Sequence, residues 1–302
     1  MAYFDIQVNG YGGVDFNQDD LSAEDLHRSC QRLRADGVDG ILATIITEAP
    51  EKMIGRIQRI CVLRKADPLA CELIAGLHLE GPFLSPKDGY RGAHPSDAIC
   101  PADENLVARM LEAADGLLRI FTLAPEQDPS NKVTRLLSDA GVVVSAGHTD
   151  ASLDQLKAAV DAGLSMFTHL GNGCPQELPR HDNIIQRALY LKNQLWLCFI
   201  ADGVHIPFHA LRNYLELAGE RALVTTDAMA AAGLGPGTHR ISRWTVQIKE
   251  DLAAWAPDGS HLLGSAITMP AAADNLMRAV GLNADRTETL TSFKPRQVIG
   301  LM

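Results

Sequence analysis

Along the chain, short apolar runs rich in β-formers alternate with stretches in which apolar residues recur at helical spacing. The runs are Phe4–Val8, Gly40–Thr47, Leu73–Leu79, Leu118–Leu123, Val142–Ala146, Met166–His169, Leu195–Ala201 and Leu223–Thr226. Each is too short for a core helix and is bounded by turn residues, so each is expected to be a strand. The stretches between them carry helix start signals. Ser22 is followed three residues on by Asp25, in the manner of a capping box. Pro50, Pro101 and Pro129 are each expected to open a helix near its first turn. Asp150 and Ser152 precede the amphipathic Leu153–Ala162, which Gly163 follows, and a further helix is expected over Met269–Val280.

Strands alternating with helices imply parallel βαβ units. About eight of them predict an α/β fold closed as a (β/α)8 TIM-type barrel, one domain spanning residues 1–302. The competing doubly wound sheet calls for a glycine-rich phosphate turn after an early strand. The run Asn9-Gly10-Tyr11-Gly12-Gly13 does not supply its GxGxxG spacing. The segment Gly233–His261 breaks the alternation. Its Gly, Pro and Trp content and the alternating Trp244-Thr-Val-Gln-Ile stretch predict an inserted hairpin after the eighth strand. Trp244, Trp255 and His239 could cover a site from there, or simply pack.

Composition narrows the function classes. The net charge of −10 argues against a nucleic-acid or membrane-surface partner, although a locally positive pocket for an anion is not excluded. Six cysteines at 30, 61, 71, 100, 174 and 198 form no CxxC, which suits free thiols in a reducing, cytoplasmic setting. The first ten residues lack a basic and an apolar region of a secretory signal, and no apolar run approaches the about 20 residues of a membrane span.

In such a barrel the active site forms at the C-terminal ends of the strands. There the chain places His78-Leu-Glu80, Gly147-His148-Thr-Asp, Thr168-His169-Leu-Gly-Asn172, Asp202-Gly-Val-His205 and Thr225-Thr-Asp227. One carboxylate and several imidazoles at the same end of successive strands converge only if the barrel closes. Glu80, His148 and His169 are the expected ligands of one divalent cation, leaving a position for water. The set suits zinc, with iron, manganese or cobalt as alternatives. Asp227 is placed to exchange protons with that water, against a bland reading as the cap of the turn after it. His78 lies on the face of Glu80, as a ligand or, preferably, as a partner that orients one. His27 and His209 fall in helical stretches and read as surface residues. Tyr90 and Arg91 precede His94 in a loop and are as apt to line the pocket as not.

These motifs, in this order, resemble the amidohydrolase superfamily and in particular the N-acetylglucosamine-6-phosphate deacetylases. The matching stretches include Asp5-Ile-Gln-Val-Asn-Gly, His78-Leu-Glu-Gly-Pro-Phe-Leu, Arg91-Gly-Ala-His94, Ala201-Asp-Gly-Val-His205 and Gly264-Ser-Ala-Ile-Thr-Met269. The resemblance implies metal-dependent hydrolysis of a linear amide, releasing acetate from an N-acetylated amino sugar, with Asp227 as acid and base. By the same resemblance His94 polarises the amide carbonyl and His205, Ala93, Asn172 and Gly173 contact the substrate. Gln7 and Asn9 stand where many amidohydrolases carry a His-x-His pair for a second metal, and are expected to support the site from behind. Arg180 is similar to a phosphate-binding arginine that reaches in from a neighbouring subunit, which implies a homodimer.

The chain departs from the family in three places. The family reads Thr-His-Leu-Phe-Asn-Ala-Met where this chain has Thr168-His-Leu-Gly-Asn-Gly-Cys174, and Pro179-Arg-His-Asp-Asn183 also differs. Both lie in the substrate wall, so the sugar and its phosphate are left open. The accessory β-sandwich built from terminal strands is expected to be missing. The rival readings are another N-acyl or cyclic-amide hydrolase, a barrel that binds without catalysis, and, more weakly, an aldolase or isomerase.

Overall fold

In the computed structural model, which describes residues 2–241, 244–255, 258 and 262–301, eight parallel strands form one sheet. They are β1 (Tyr3–Val8), β2 (Val38–Ile46), β3 (Ile74–Glu80), β4 (Leu118–Leu123), β5 (Val143–Ala146), β6 (Leu164–Phe167), β7 (Trp196–Ile200) and β8 (Ala222–Thr225). Each pairs with the next in sequence. The two edges meet where Val8 bridges Ala228 and the Asn9 N–H donates to Ala228 O at 2.7 Å. The sheet is a (β/α)8 barrel of the TIM type, as expected.

Each strand is followed by a helix, α1 (Ala23–Ala35) through α2 (Pro50–Ala66), α3 (Glu104–Ala113), α4 (Lys132–Asp139), α5 (Leu153–Asp161), α6 (Ile184–Tyr190) and α7 (Phe208–Ala218) to α8 (Met269–Asn275). Ser22 caps α1 through Asp25 N–H, and Ser152 with Gln155 forms a full capping box on α5. Pro50 opens α2 as expected. Pro101 and Pro129 do not open helices. Asp103, whose side chain accepts from Leu106 N–H, caps α3, and α4 begins after Asn131. A proline favours a first turn but does not compel one: Asp103 beyond Pro101 caps α3, while the Asp128 carboxylate before Pro129 accepts from the Lys132 and Thr134 N–H groups that open α4. No described helix is long and apolar enough to cross a membrane.

Alternate residues of the strands fill the N-terminal end of the barrel. Phe4, Ile6, Leu42, Ile120, Met166, Cys198 and Leu223 form one buried cluster, which Val298 and Ile299 of the C-terminal helical segment plug from below. The opposite end is left for chemistry.

The segment after β8 is more than a hairpin. It holds four antiparallel strands in sequence order, β9 (Gly237–Ile241), β10 (Trp244–Ile248), β11 (Ala253–Trp255) and β12 (Leu262–Ser265). The β9 and β10 strands pair antiparallel, and two short strands extend them. The Trp244 side chain and His261 lie outside the described residues.

Candidate metal centre and active site

The barrel brings the polar strand ends together around one point. Glu80 ends β3, while His148, His169 and Asp227 each stand two residues beyond β5, β6 and β8. All three adopt left-handed backbone, with φ of 50°, 33° and 51°. That conformation is sparsely populated for residues with a Cβ and persists where surroundings impose it, often at functional sites. Here it turns each side chain back over the barrel mouth.

One ligand atom from each of Glu80, His148 and His169 lies within 4.8 Å of the others. His169 Nε2 stands 2.8 Å and His148 Nε2 3.3 Å from Glu80 Oε1. The Tyr90 carbonyl accepts from His148 Nδ1 at 2.8 Å, so the proton sits on Nδ1 and the Nε2 lone pair faces the centre. Burial works to raise the Glu80 carboxyl, but the His148 and His169 imidazoles set against it outweigh that and hold it well below the usual range. A buried carboxylate and two imidazoles whose Nε2 atoms converge on it fit a divalent cation.

The other expected residues sort by distance from this centre. His94 Nε2 is 3.3 Å from His148 Nε2 and 3.9 Å from Glu80 Oε2, so its ring reaches the same point. Burial and the neighbouring His148 push its pKa down to about 3, which keeps it neutral. Burial and the charge of Glu80 raise Asp227 to about 6. Asn9 donates to the Asp227 carboxylate and shares the cavity. Gln7 is buried but does not line the cavity. His78 lies a layer below the ligands. Its Nδ1 bonds the Ile6 carbonyl at 2.9 Å and its Nε2 bonds Thr122 Oγ1 at 2.8 Å. Because the carbonyl only accepts, Nε2 must accept, and the hydroxyls of Ser145, Thr168 and Thr122 donate in series toward it. His78 thus braces the strand ends that carry His169 and Glu80 and touches neither.

A cavity of about 550 Å³ opens above the centre, lined in part by Ala93, Asn172, Gly173 and His205. His205 Nδ1 bonds Asp202 Oδ2 at 2.5 Å, which leaves Nε2 for a ligand. Asp202 had no assigned role in the sequence reading, although its spacing of three residues from His205 was the available signal. Two loops build the wall over His148. A Cβ at Gly173 (φ 61°) would stand 2.8 Å from His148 Nδ1, and one at Gly92 (φ 57°) 2.9 Å from its Cε1. Only glycine allows both backbones to press on that ring. The same loops meet again where Gly89 packs on Pro175. Arg180 is exposed and is not brought into the cavity of its own chain. Arg91 pairs with Asp88, and Tyr90 is buried beside the cavity and not in its lining. His27 bonds Asp67 and His209 is exposed.

The meander supplies Leu262 and Gly264 to the cavity wall. His239 bonds the Gly235 carbonyl and Trp255 stacks under Lys249, so neither covers the site.

No model of a protein family matches the chain. Individual proteins do. The N-acetylglucosamine-6-phosphate deacetylase of Bacillus subtilis (strain 168) is 32% identical over 301 residues, covering 98% of this chain and 74% of the relative. An N-acetylgalactosamine-6-phosphate deacetylase of Escherichia coli O157:H7 is 29% identical, covering 99% and 78%. The crystal structure of N-acetyl-D-glucosamine-6-phosphate deacetylase from Mycobacterium smegmatis superposes with a TM-score of 0.87 at 30% identity, over 99% of this chain and 78% of that one. Identity of this order across nearly the whole chain, on the same barrel and strand-end motifs, places this chain in the N-acetylglucosamine-6-phosphate deacetylase family.

Proposed function

We propose that the chain hydrolyses the acetamide of an N-acetylated amino sugar to acetate and free amine, with N-acetylglucosamine 6-phosphate as the first candidate substrate. The observation that carries this reading is a raised, buried Asp227 carboxyl beside a converging Glu80, His148 and His169 donor set. A divalent cation in that set, zinc before iron, manganese or cobalt, supplies Lewis acidity to the amide and makes water a stronger acid. Asp227 accepts the proton of the attacking water as its oxygen bonds to the carbonyl carbon. It then returns that proton to the amine nitrogen as the C–N bond breaks. A pKa near working pH suits a group that must both take and give a proton. Neutral His94 keeps one N–H for the amide oxygen, where negative charge develops. His205, oriented by Asp202, and the Asn172-Gly173 backbone face the sugar.

A second sugar is favoured by one observation, the N-acetylgalactosamine-6-phosphate deacetylase among the relatives. Phosphate recognition is assigned to Arg180 of a second copy, since its side chain is exposed on the wall loop, and this requires a homodimer. Six unpaired cysteines suit work in the cytoplasm. The test is acetate release from the 6-phosphates of N-acetylglucosamine and N-acetylgalactosamine and from unphosphorylated N-acetylglucosamine, with metal content measured on the same sample. Asp227→Asn is expected to keep its metal and lose turnover by at least a hundredfold. Near-normal turnover in that variant removes Asp227 from the mechanism.

A further inference from the structure

Asp227 projects from a left-handed backbone that other residues must hold. The two residues before it are tied to one carboxylate on β1. Thr225 Oγ1 donates to Asp5 Oδ1 and Thr226 Oγ1 donates to Asp5 Oδ2, each at 2.5 Å. The N–H groups of Thr226 and Gln7 also donate to Oδ1, each at 3.3 Å. The Thr226 hydroxyl has one hydrogen, and it donates that hydrogen to Asp5 Oδ2. A lone pair of the same oxygen accepts the Ala228 N–H at 3.1 Å. One hydroxyl therefore joins the residue before Asp227 to the residue after it, and Asp5 sets the direction in which it points.

Closing the barrel does not by itself call for this arrangement. Asp5 is 2% exposed and all its hydrogen-bond partners are neutral. Burying a carboxylate without a cationic partner is costly, and apolar residues of similar volume join two strands as well or better. The carboxylate does what they cannot, which is to hold two hydroxyl donors in fixed orientation.

We infer that Asp5 is a positioning residue for the proposed reaction, fixing through the Thr226 hydroxyl the left-handed turn that presents Asp227 to the cavity. The inference rests on the reading of Asp227 as proton carrier. Three variants test it, with kcat and KM measured on the amino-sugar phosphate hydrolysed fastest, together with metal content and Tm. Thr226→Val removes the hydroxyl at nearly constant shape, Thr226→Ser keeps it, and Asp5→Asn turns one acceptor into a donor. Thr226→Val and Asp5→Asn are expected to lower kcat about tenfold to a hundredfold, with KM and metal content unchanged. Thr226→Ser is expected to recover most of the turnover. If Asp5→Asn fails to fold, the two Thr226 variants decide alone.

A lowered Tm with parental kcat in Thr226→Val overturns the inference, and so does equal loss in Thr226→Ser and Thr226→Val, which would assign the effect to packing. The two readings fail separately. An active Asp227→Asn sinks the proton carrier, whereas an inactive Asp227→Asn beside a fully active Thr226→Val sinks the positioning role alone.

Discussion

Asn9 and Asp227, 218 residues apart in sequence, meet across the closing seam of the barrel, where the Asn9 side-chain N–H donates to Asp227 Oδ1 at 2.8 Å. The bond favours the charged carboxylate and so works against the burial and the Glu80 charge that raise Asp227 to about 6. The proton-accepting form is the carboxylate, present above that pKa, so turnover should fall as pH drops through about 6. Asn9→Ala removes a stabilising donor, raises the pKa further and should move the acidic limb of the kcat profile to higher pH. An acidic limb that stays in place in the variant would separate Asn9 from the titration.

Glu80 Oε1 faces both imidazoles of the donor set. Glu80→Gln keeps the volume and removes the charge, so the purified variant should retain little of the parental metal and little activity. Chelation should inactivate the parent, and zinc or cobalt should restore it. Full metal content in Glu80→Gln would show that the cation is held elsewhere.

Gly173→Ala should weaken metal binding by about tenfold to a hundredfold, because its Cβ cannot coexist with the His148 ring in place. Equilibrium dialysis of the folded variant measures this directly, and the absorption spectrum of the cobalt-loaded protein should change with the ligand geometry. Parental affinity would mean that the loop yields while the ring stays.

Gly55 lies on the exposed face of α2, and a Cβ there meets nothing within 4 Å. Gly55→Ala should stabilise the protein by about 0.4–1 kcal/mol, by restricting the unfolded chain and raising helix propensity. Reversible denaturation would show it, and activity should not change. A lower midpoint would mean that α2 carries strain at this point.

The barrel was legible in the sequence because strand and helix periods differ and alternate eight times. Strand ends were read within a few residues. The largest effect was at β6, which stops at Phe167 rather than His169, since His169 has already turned left-handed. The candidate donor set was legible because one carboxylate and several imidazoles stand at the same end of successive strands, which a closed barrel brings to one point. What holds those residues was not legible. The Tyr90 carbonyl that fixes the His148 tautomer is a backbone atom and carries no side-chain signal. The role of His78 depended on Ile6 and Thr122, two partners that only the closed sheet brings near it. The meander escaped recognition beyond its first pair because β11 and β12 are three and four residues long, too short for alternation to show.

Gly92 and Gly173 both press on the Nδ1–Cε1 edge of the His148 ring, so in the proposed function sugar selection and metal retention share the same few atoms. On that reading, an exchange in the 171–176 loop that reshapes the wall for a different sugar also shifts the imidazole proposed to grip the cation. Variants selected for a new substrate should therefore first betray themselves as leaky for metal, and second-site changes that restore their grip should arise in the facing loop around Gly89 and Gly92.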